Sequence, residues 1–227
     1  MRKAVRECSI KNKQMKKSIL SAVFILFAGF TFAQSAKYES AMKANISKLD
    51  SLVVNNNEDD LANSFIRIGD AEKTQWLPYY YASYCKALQA LTEKDNSKKD
   101  ALADKATELI TKAESILGKE NSETDVIKSM IATAHMMVDP ASRYMTYGQD
   151  ISNNIQKSEA LDSTNPRPVL VQAQNIFYTP EQYGGGKDAA KPMFTKAKQL
   201  MDNFKPETDL SPSWGQSSLN YFLSQYK

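Results

Sequence analysis

The sequence is poor in the residues that usually perform chemistry. It has one histidine, His135, and two cysteines, Cys8 and Cys85. A zinc site drawn from His and Cys needs more ligands than these supply, so no metal site is expected. No G-x-S-x-G elbow accompanies His135, which excludes the corresponding serine hydrolases and leaves the histidine half-buried in an apolar helix beside Met130, Met136 and Met137. Glycine and proline number 8 each and gather at turns, and no stretch alternates β-branched with polar residues. Sheet-based folds are therefore excluded. Ala, Lys, Leu, Glu and Gln dominate, and these are helix formers. The fold class is all-α.

Long apolar runs are also missing, with one exception. Residues 15–33, MKKSILSAVFILFAGFTFA, read as a secretory signal: Lys16 and Lys17 form the basic end, residues 19–32 the apolar core, and Thr31 and Ala33 the small residues before a cut at Ala33/Gln34. The core is shorter than the ~18 residues a membrane span needs. The mature chain is expected to be periplasmic or secreted, with no transmembrane segment. Residues 1–14 are charged and patternless, so translation is expected to begin at Met15. A long basic end to the signal is the alternative.

Removing residues 1–33 takes away seven of 29 basic and one of 26 acidic residues, leaving 22 and 25 and a net charge near −3. Lysines are interspersed with acids rather than clustered, so nucleic acid is excluded as a partner. Cys85 is then the one cysteine left and cannot form an internal disulfide; among Tyr81, Ala82 and Leu88 it reads as a packing residue. Residues 34–227 are expected to form one helical domain.

Apolar periodicity places helices over residues 38–54, 61–71, 78–91, 100–117, 122–138, 150–161, 166–178, 187–204 and 214–226. Asn57 or Asp59 is expected to cap the second. Pro78 fits the first turn of the third, and Ser122 with Asp125 forms a capping box for the fifth. Asp139-Pro140 reads as a stop, and residues 141–148 as an excursion between helices in which Arg143 ties the loop to a helix end or holds an anion. Thr179-Pro180 opens a short turn that Gly184-Gly185-Gly186 ends. Those glycines before Lys187 lack the G-x-x-x-x-G-K-[ST] pattern and a preceding strand, so they form a tight connection rather than a phosphate loop. The acidic groups Glu58-Asp59-Asp60, Glu123 with Asp125, and Glu207 with Asp209 sit at helix starts or in linkers. There they complement helix dipoles, so they do not indicate an enzyme. No cofactor is implied.

Three segments superimpose: residues 112–116, 157–161 and 196–200, each a helix end before a turn. Ala113, Ser158 and Ala197 share one position, Ile110, Ile155 and Phe194 a second, and Ala106, Ile151 and Ala190 a third. The spacings of 45 and 39 residues fall in the range of stacked helical hairpins. Small residues recur on the other helix of each pair at Ala82, Ser129 and Ala173.

This arrangement resembles the tetratricopeptide repeat (TPR), in degenerate form and with periods longer than the usual ~34 residues. It also resembles small exported TPR-like proteins with a Tyr-Thr-Pro-Glu-x-Tyr/Phe-Gly-Gly-Gly-Lys segment, here residues 178–187. The resemblance implies a TPR-like α-solenoid of about three to four repeats, in which the first helix of each pair lines a groove for a peptide or partner protein.

In that frame the residues flanking Ala82, Ser129 and Ala173 face the groove: Tyr79 and Ser83, Val126 and Met130, Leu170 and Gln174. Val126 and Leu170 are equally compatible with the core. The tyrosines of residues 78–91 cover more than one side of their helix, so Tyr79, Tyr80, Ser83, Tyr84, Met130 and Gln174 are the candidate groove residues. The leading expectation is a non-enzymatic interaction protein. The alternatives are a small-ligand or glycan binder that uses Tyr79, Tyr80, Tyr84 and Trp76 as a platform with Gln172 and Asn175 nearby, or a structural subunit of an envelope complex.

Overall fold

The computed structural model describes residues 36–49 and 57–226. The chain divides into a unit ending at Ala41 and another from Met42 to Lys227. The expected signal, its cut and the start at Met15 lie outside the described residues. Residues 36–41 of the first unit are helical, as are residues 42–46 of the second. The α-helix runs to residue 46, a turn follows at 47–48 and residue 49 is 3-10; residues 50–54 of the expected helix lie outside the described residues.

Eight α-helices follow: α1 Glu58–Glu72, α2 Leu77–Thr92, α3 Asn96–Leu117, α4 Ser122–Val138, α5 Pro140–Leu161, α6 Pro166–Tyr178, α7 Lys187–Asn203 and α8 Gln216–Ser224. Among the described residues there is no strand, and no helix is long and apolar enough to cross a membrane. Short connections fold neighbours into hairpins, with α2 against α3, α4 against α5 and α6 against α7. The first helices of these pairs also touch in series, α2 with α4 and α4 with α6.

The superimposed positions are where the hairpins close. Ala113, Ser158 and Ala197 are fully buried, as are Ala82, Ser129 and Ala173 on the partner helices. Ile110, Ile155 and Phe194 are buried beside them, whereas Ile151 is half-buried. Side chains this small let helix backbones approach, and two hydroxyls exploit the approach. Ser83 Oγ donates to the Ala106 carbonyl at 2.7 Å and Ser129 Oγ to the Ile151 carbonyl at 3.3 Å, each tying a first helix to its second.

Several boundaries differ from the sequence expectation for local reasons. Residues 141–148 are not an excursion but the first turns of α5. Asp139 and Pro140 stop α4 and at once start the next helix, because the Asp139 side chain accepts from the Ser142 amide and proline at the first position needs no N–H partner. The cap of α4 is Asn121, whose side chain accepts from the Glu123 amide at 2.8 Å, while Ser122 turns inward onto Ser158. Asp95 caps α3, which starts at Asn96, four residues before its expected start. Asn57 occupies the cap position of α1 without a side-chain cap bond.

The triple glycine makes a tight connection. Gly184 and Gly186 have φ of 80° and 98°, and the Gly186 amide donates to the Ile176 carbonyl at 2.9 Å. A Cβ on Gly185 would run into the backbone carbonyl of Thr179. Gly185→Ala is therefore expected to lower the unfolding free energy by about 1–3 kcal/mol. Urea denaturation checks it, and an unchanged midpoint would count against this packing.

Candidate functional site

The expected groove residues do not form one open surface: five of the six are buried, Gln174 is half-buried, and they meet different parts of the chain. Residues 204–215 leave α7 without regular structure and pass α2 and α6 before α8 begins. Trp214 stacks on Tyr84 at 4.3 Å between ring centroids, and its Nε1 donates to the Tyr80 hydroxyl at 2.8 Å. The Tyr81 hydroxyl donates to the Leu210 carbonyl at 2.9 Å, and Lys43 pairs with Asp209 at 2.8 Å. Tyr80, Ser83, Tyr84 and Met130 are buried, as are Val126 and Leu170. Tyr79 is buried beside Gly69, where it donates to Asp70 at 2.7 Å with the Lys112 ammonium 4.0 Å above its ring. Gln174 is half-buried and donates to Ser218 of α8 at 2.7 Å. The reading of these six as an open groove is thus corrected: Tyr80 and Tyr84 are covered by an extended segment of the same chain, Tyr79 and Ser83 pack against α1 and α3, Met130 is buried, and Gln174 is bonded to α8. Nothing local in the sequence of this segment marks what it packs against.

Beneath that segment lies a buried polar network. Arg167, fully buried, donates from Nε and Nη2 to Glu123 at 2.5–2.9 Å. Glu123 also accepts from the Tyr80 hydroxyl and from Asn165 Nδ2, both at 2.8 Å. The guanidinium carbon lies 4.4 Å from the Phe204 ring centroid and 5.8 Å from that of Trp214, so aromatic faces cover the side that carries no carboxylate. Burial works against the charge on Arg167, but Glu123 outweighs it and the guanidinium holds its proton more firmly than usual. Burial, then Glu123, pushes the Tyr80 phenol well up. Neither group is placed to exchange protons with a substrate.

His135 is structural in its contacts. Nδ1 lies 2.8 Å from Asp100, and its ring stacks on Tyr147 at 5.1 Å. Arg143 grips Asp100 with two nitrogens at 2.7 Å and also donates to the His135 carbonyl at 3.0 Å, tying the start of α5 to α3 and the end of α4. Hydrogen bonds from Arg143 hold the Asp100 carboxyl below its ordinary range. Burial pushes the Cys85 thiol up, away from thiolate chemistry. Among the described residues no group of three or more His, Cys, Asp or Glu could hold a metal.

The open aromatic surface lies elsewhere, where α6 and α8 end. Tyr178 and Tyr221 are 70% and 58% exposed, and both stand edge-on to Phe222, at 5.8 and 5.3 Å. Phe177 is edge-on to Tyr178 and Phe222, and Phe194 stacks under Phe222 at 4.8 Å. Burial, then Tyr221, raises the Tyr178 phenol, so that ring stays neutral. Lys187 and Lys191 start α7 at this end, their ammonium groups 5.2 and 5.6 Å from the Tyr226 ring centroid. Such an arrangement can stack a planar apolar ligand and offers cations to anionic substituents. The sequence carries a faint signal for it: in the neighbouring pairs Phe177-Tyr178 and Tyr221-Phe222 one ring is buried or half-buried and the other is presented outward.

Comparison with models of protein families and with curated proteins finds no match. Among solved structures the chain is similar to the HusA haemophore from Porphyromonas gingivalis, at 33% identity and a TM-score of 0.72, over 84% of this chain and 92% of that one. The chain belongs to the HusA family. Within the shared helical-hairpin fold, Trp214 is the side chain that joins the extended segment to α2. Trp214→Ala is expected to cost about 3–5 kcal/mol in chemical denaturation. A loss under 1 kcal/mol would mean that the segment rests only loosely on α2.

Proposed function

We propose that the protein is an exported, non-enzymatic haem-binding protein. The observation that carries this reading is membership of the family of a haemophore, with 33% identity across 92% of that chain. Two local features agree with it. Tyrosine rings stand open beside cations at the ends of α6 and α8, a surface suited to a flat, largely apolar molecule with anionic substituents. The secretory pattern of residues 15–33 would send the protein outside the cytoplasm, with a mature chain beginning at Gln34. The hairpin stack itself reads as TPR-like, with its first-helix face given over to the chain's own residues 204–215.

A peptide ligand in the first-helix groove is less well supported, because Trp214 and Leu210 already satisfy Tyr80, Tyr81 and Tyr84. The small-ligand alternative of the sequence reading therefore leads, with a different set of tyrosines.

Haemin titrated into the processed protein is expected to give a saturable shift of its Soret band. Unfolding should move to higher temperature, by about 2.7 kcal/mol of added stability at one hundred times the dissociation constant. A folded protein that leaves both the Soret band and the melting temperature unchanged would remove the haem reading.

A further inference from the structure

The comparison with a haemophore does not say where on this chain a ligand sits, whereas the distribution of exposed rings and unpaired cations does. Buried aromatic residues here are accounted for: Tyr79, Tyr80 and Tyr81 each give their hydroxyl to a partner, and Tyr84 carries Trp214. Among the described residues Tyr144, Tyr178, Tyr183 and Tyr221 are the exposed tyrosines, and Tyr178 and Tyr221 are the two whose rings rest edge-on against one shared ring, Phe222. An aromatic ring fixed by edge contacts on one side and bare on the other has its orientation settled before any ligand arrives.

The lysines nearby lie over the Tyr226 ring and have no carboxylate partner among the described residues. Lys187 and Lys191 lie at the first and fifth positions of α7, where the helix dipole disfavours positive charge. Both are exposed, and among the described residues neither forms an ion pair. Farther along the same helix Lys196 and Lys198 pair with Glu159 and Asp202. The two free cations are linked to the tyrosines through contiguous rings: Tyr226 lies 6.4 Å from Phe194, Phe194 stacks on Phe222, and Phe222 meets Tyr178 and Tyr221. The connection 179–186 brings them together, since the Gly186 amide is bonded to the Ile176 carbonyl one residue before Lys187.

We propose that an iron porphyrin binds at this end of the last two hairpins, its flat face against Tyr178 and Tyr221 over Phe222 and its carboxylates on Lys187 and Lys191. This site rests on the haem reading above. The macrocycle covers apolar ring surface that water now wets. The lysines neutralise the carboxylates at the rim and fix which way round the molecule lies. The other exposed patch, Tyr144 and Met145 on α5, is 64% and 81% exposed, but Arg143 beside it is already committed to Asp100 and leaves no free cation there.

Haemin titrations of the processed protein and four variants test the site, with circular dichroism and melting curves to establish that each is folded. Tyr178→Ala and Tyr221→Ala are each expected to weaken binding at least tenfold. The double variant Lys187→Glu with Lys191→Glu should weaken it by about three- to tenfold and flatten its dependence on sodium chloride, which a purely structural role would not do. Tyr144→Ala should bind as the parent does. If the parent binds haemin and both tyrosine variants bind equally well, the site is wrong while the haem reading stands; if Tyr144→Ala is the variant that loses binding, the site lies on α5. A parent protein that takes up no haemin overturns both.

Discussion

The buried pair Glu123–Arg167 is the interaction around which the second unit is arranged. A guanidinium with no exposed surface needs a carboxylate held in fixed geometry, and removing either partner of such a pair typically costs about 3–5 kcal/mol. Glu123 comes from the first turn of α4 and Arg167 from the first turn of α6, so satisfying the charge sets two hairpins in register. The same carboxylate accepts from Tyr80 of α2 and from Asn165, the cap of α6. Ser122 then closes the network by bonding Ser158 and accepting from Asn165. One side chain thereby holds the beginnings of three first helices together.

From that requirement the fate of the first-helix face follows. The guanidinium leaves one side without a carboxylate, and Phe204 and Trp214 supply aromatic faces to cover it. Bringing those rings in carries residues 204–215 past α6 and onto α2, where Trp214 stacks on Tyr84 and bonds Tyr80. Gly215 completes the crossing at φ 115°, and a Cβ there would meet Leu170 at 2.9 Å. The segment therefore behaves as part of the core. An aromatic groove that periodicity would assign to a partner is used to shield a buried charge.

Much of the helical plan was legible because it depends on local rules. The small residues Ala113, Ser158 and Ala197 and their counterparts Ala82, Ser129 and Ala173 were identified by spacing alone, and all six are fully buried. Caps and stops were less secure, since Asp139-Pro140 obeys the same rules whether it ends a helix or starts one, and here it does both. The site was the least legible part. Tyr79, Tyr80 and Tyr84 stand out in sequence because they crowd one helix, yet crowding does not distinguish rings facing solvent from rings facing a segment more than a hundred positions away. Tyr178 and Tyr221 lie 43 positions apart, and only the packing of α6 beside α8 makes them one surface.

The proposed site thus depends on a single contrast between a first-helix face where Tyr80 and Tyr84 are covered by the protein's own chain and an aromatic end that is open. Hydrogen–deuterium exchange of the processed protein, with and without haemin, tests that contrast directly. Added protection confined to residues 176–191 and 216–226, with residues 77–92 and 204–215 slow to exchange in both states, is the predicted pattern. Rapid exchange of residues 204–215 in the free protein, or haemin protection centred on residues 77–92, would contradict it.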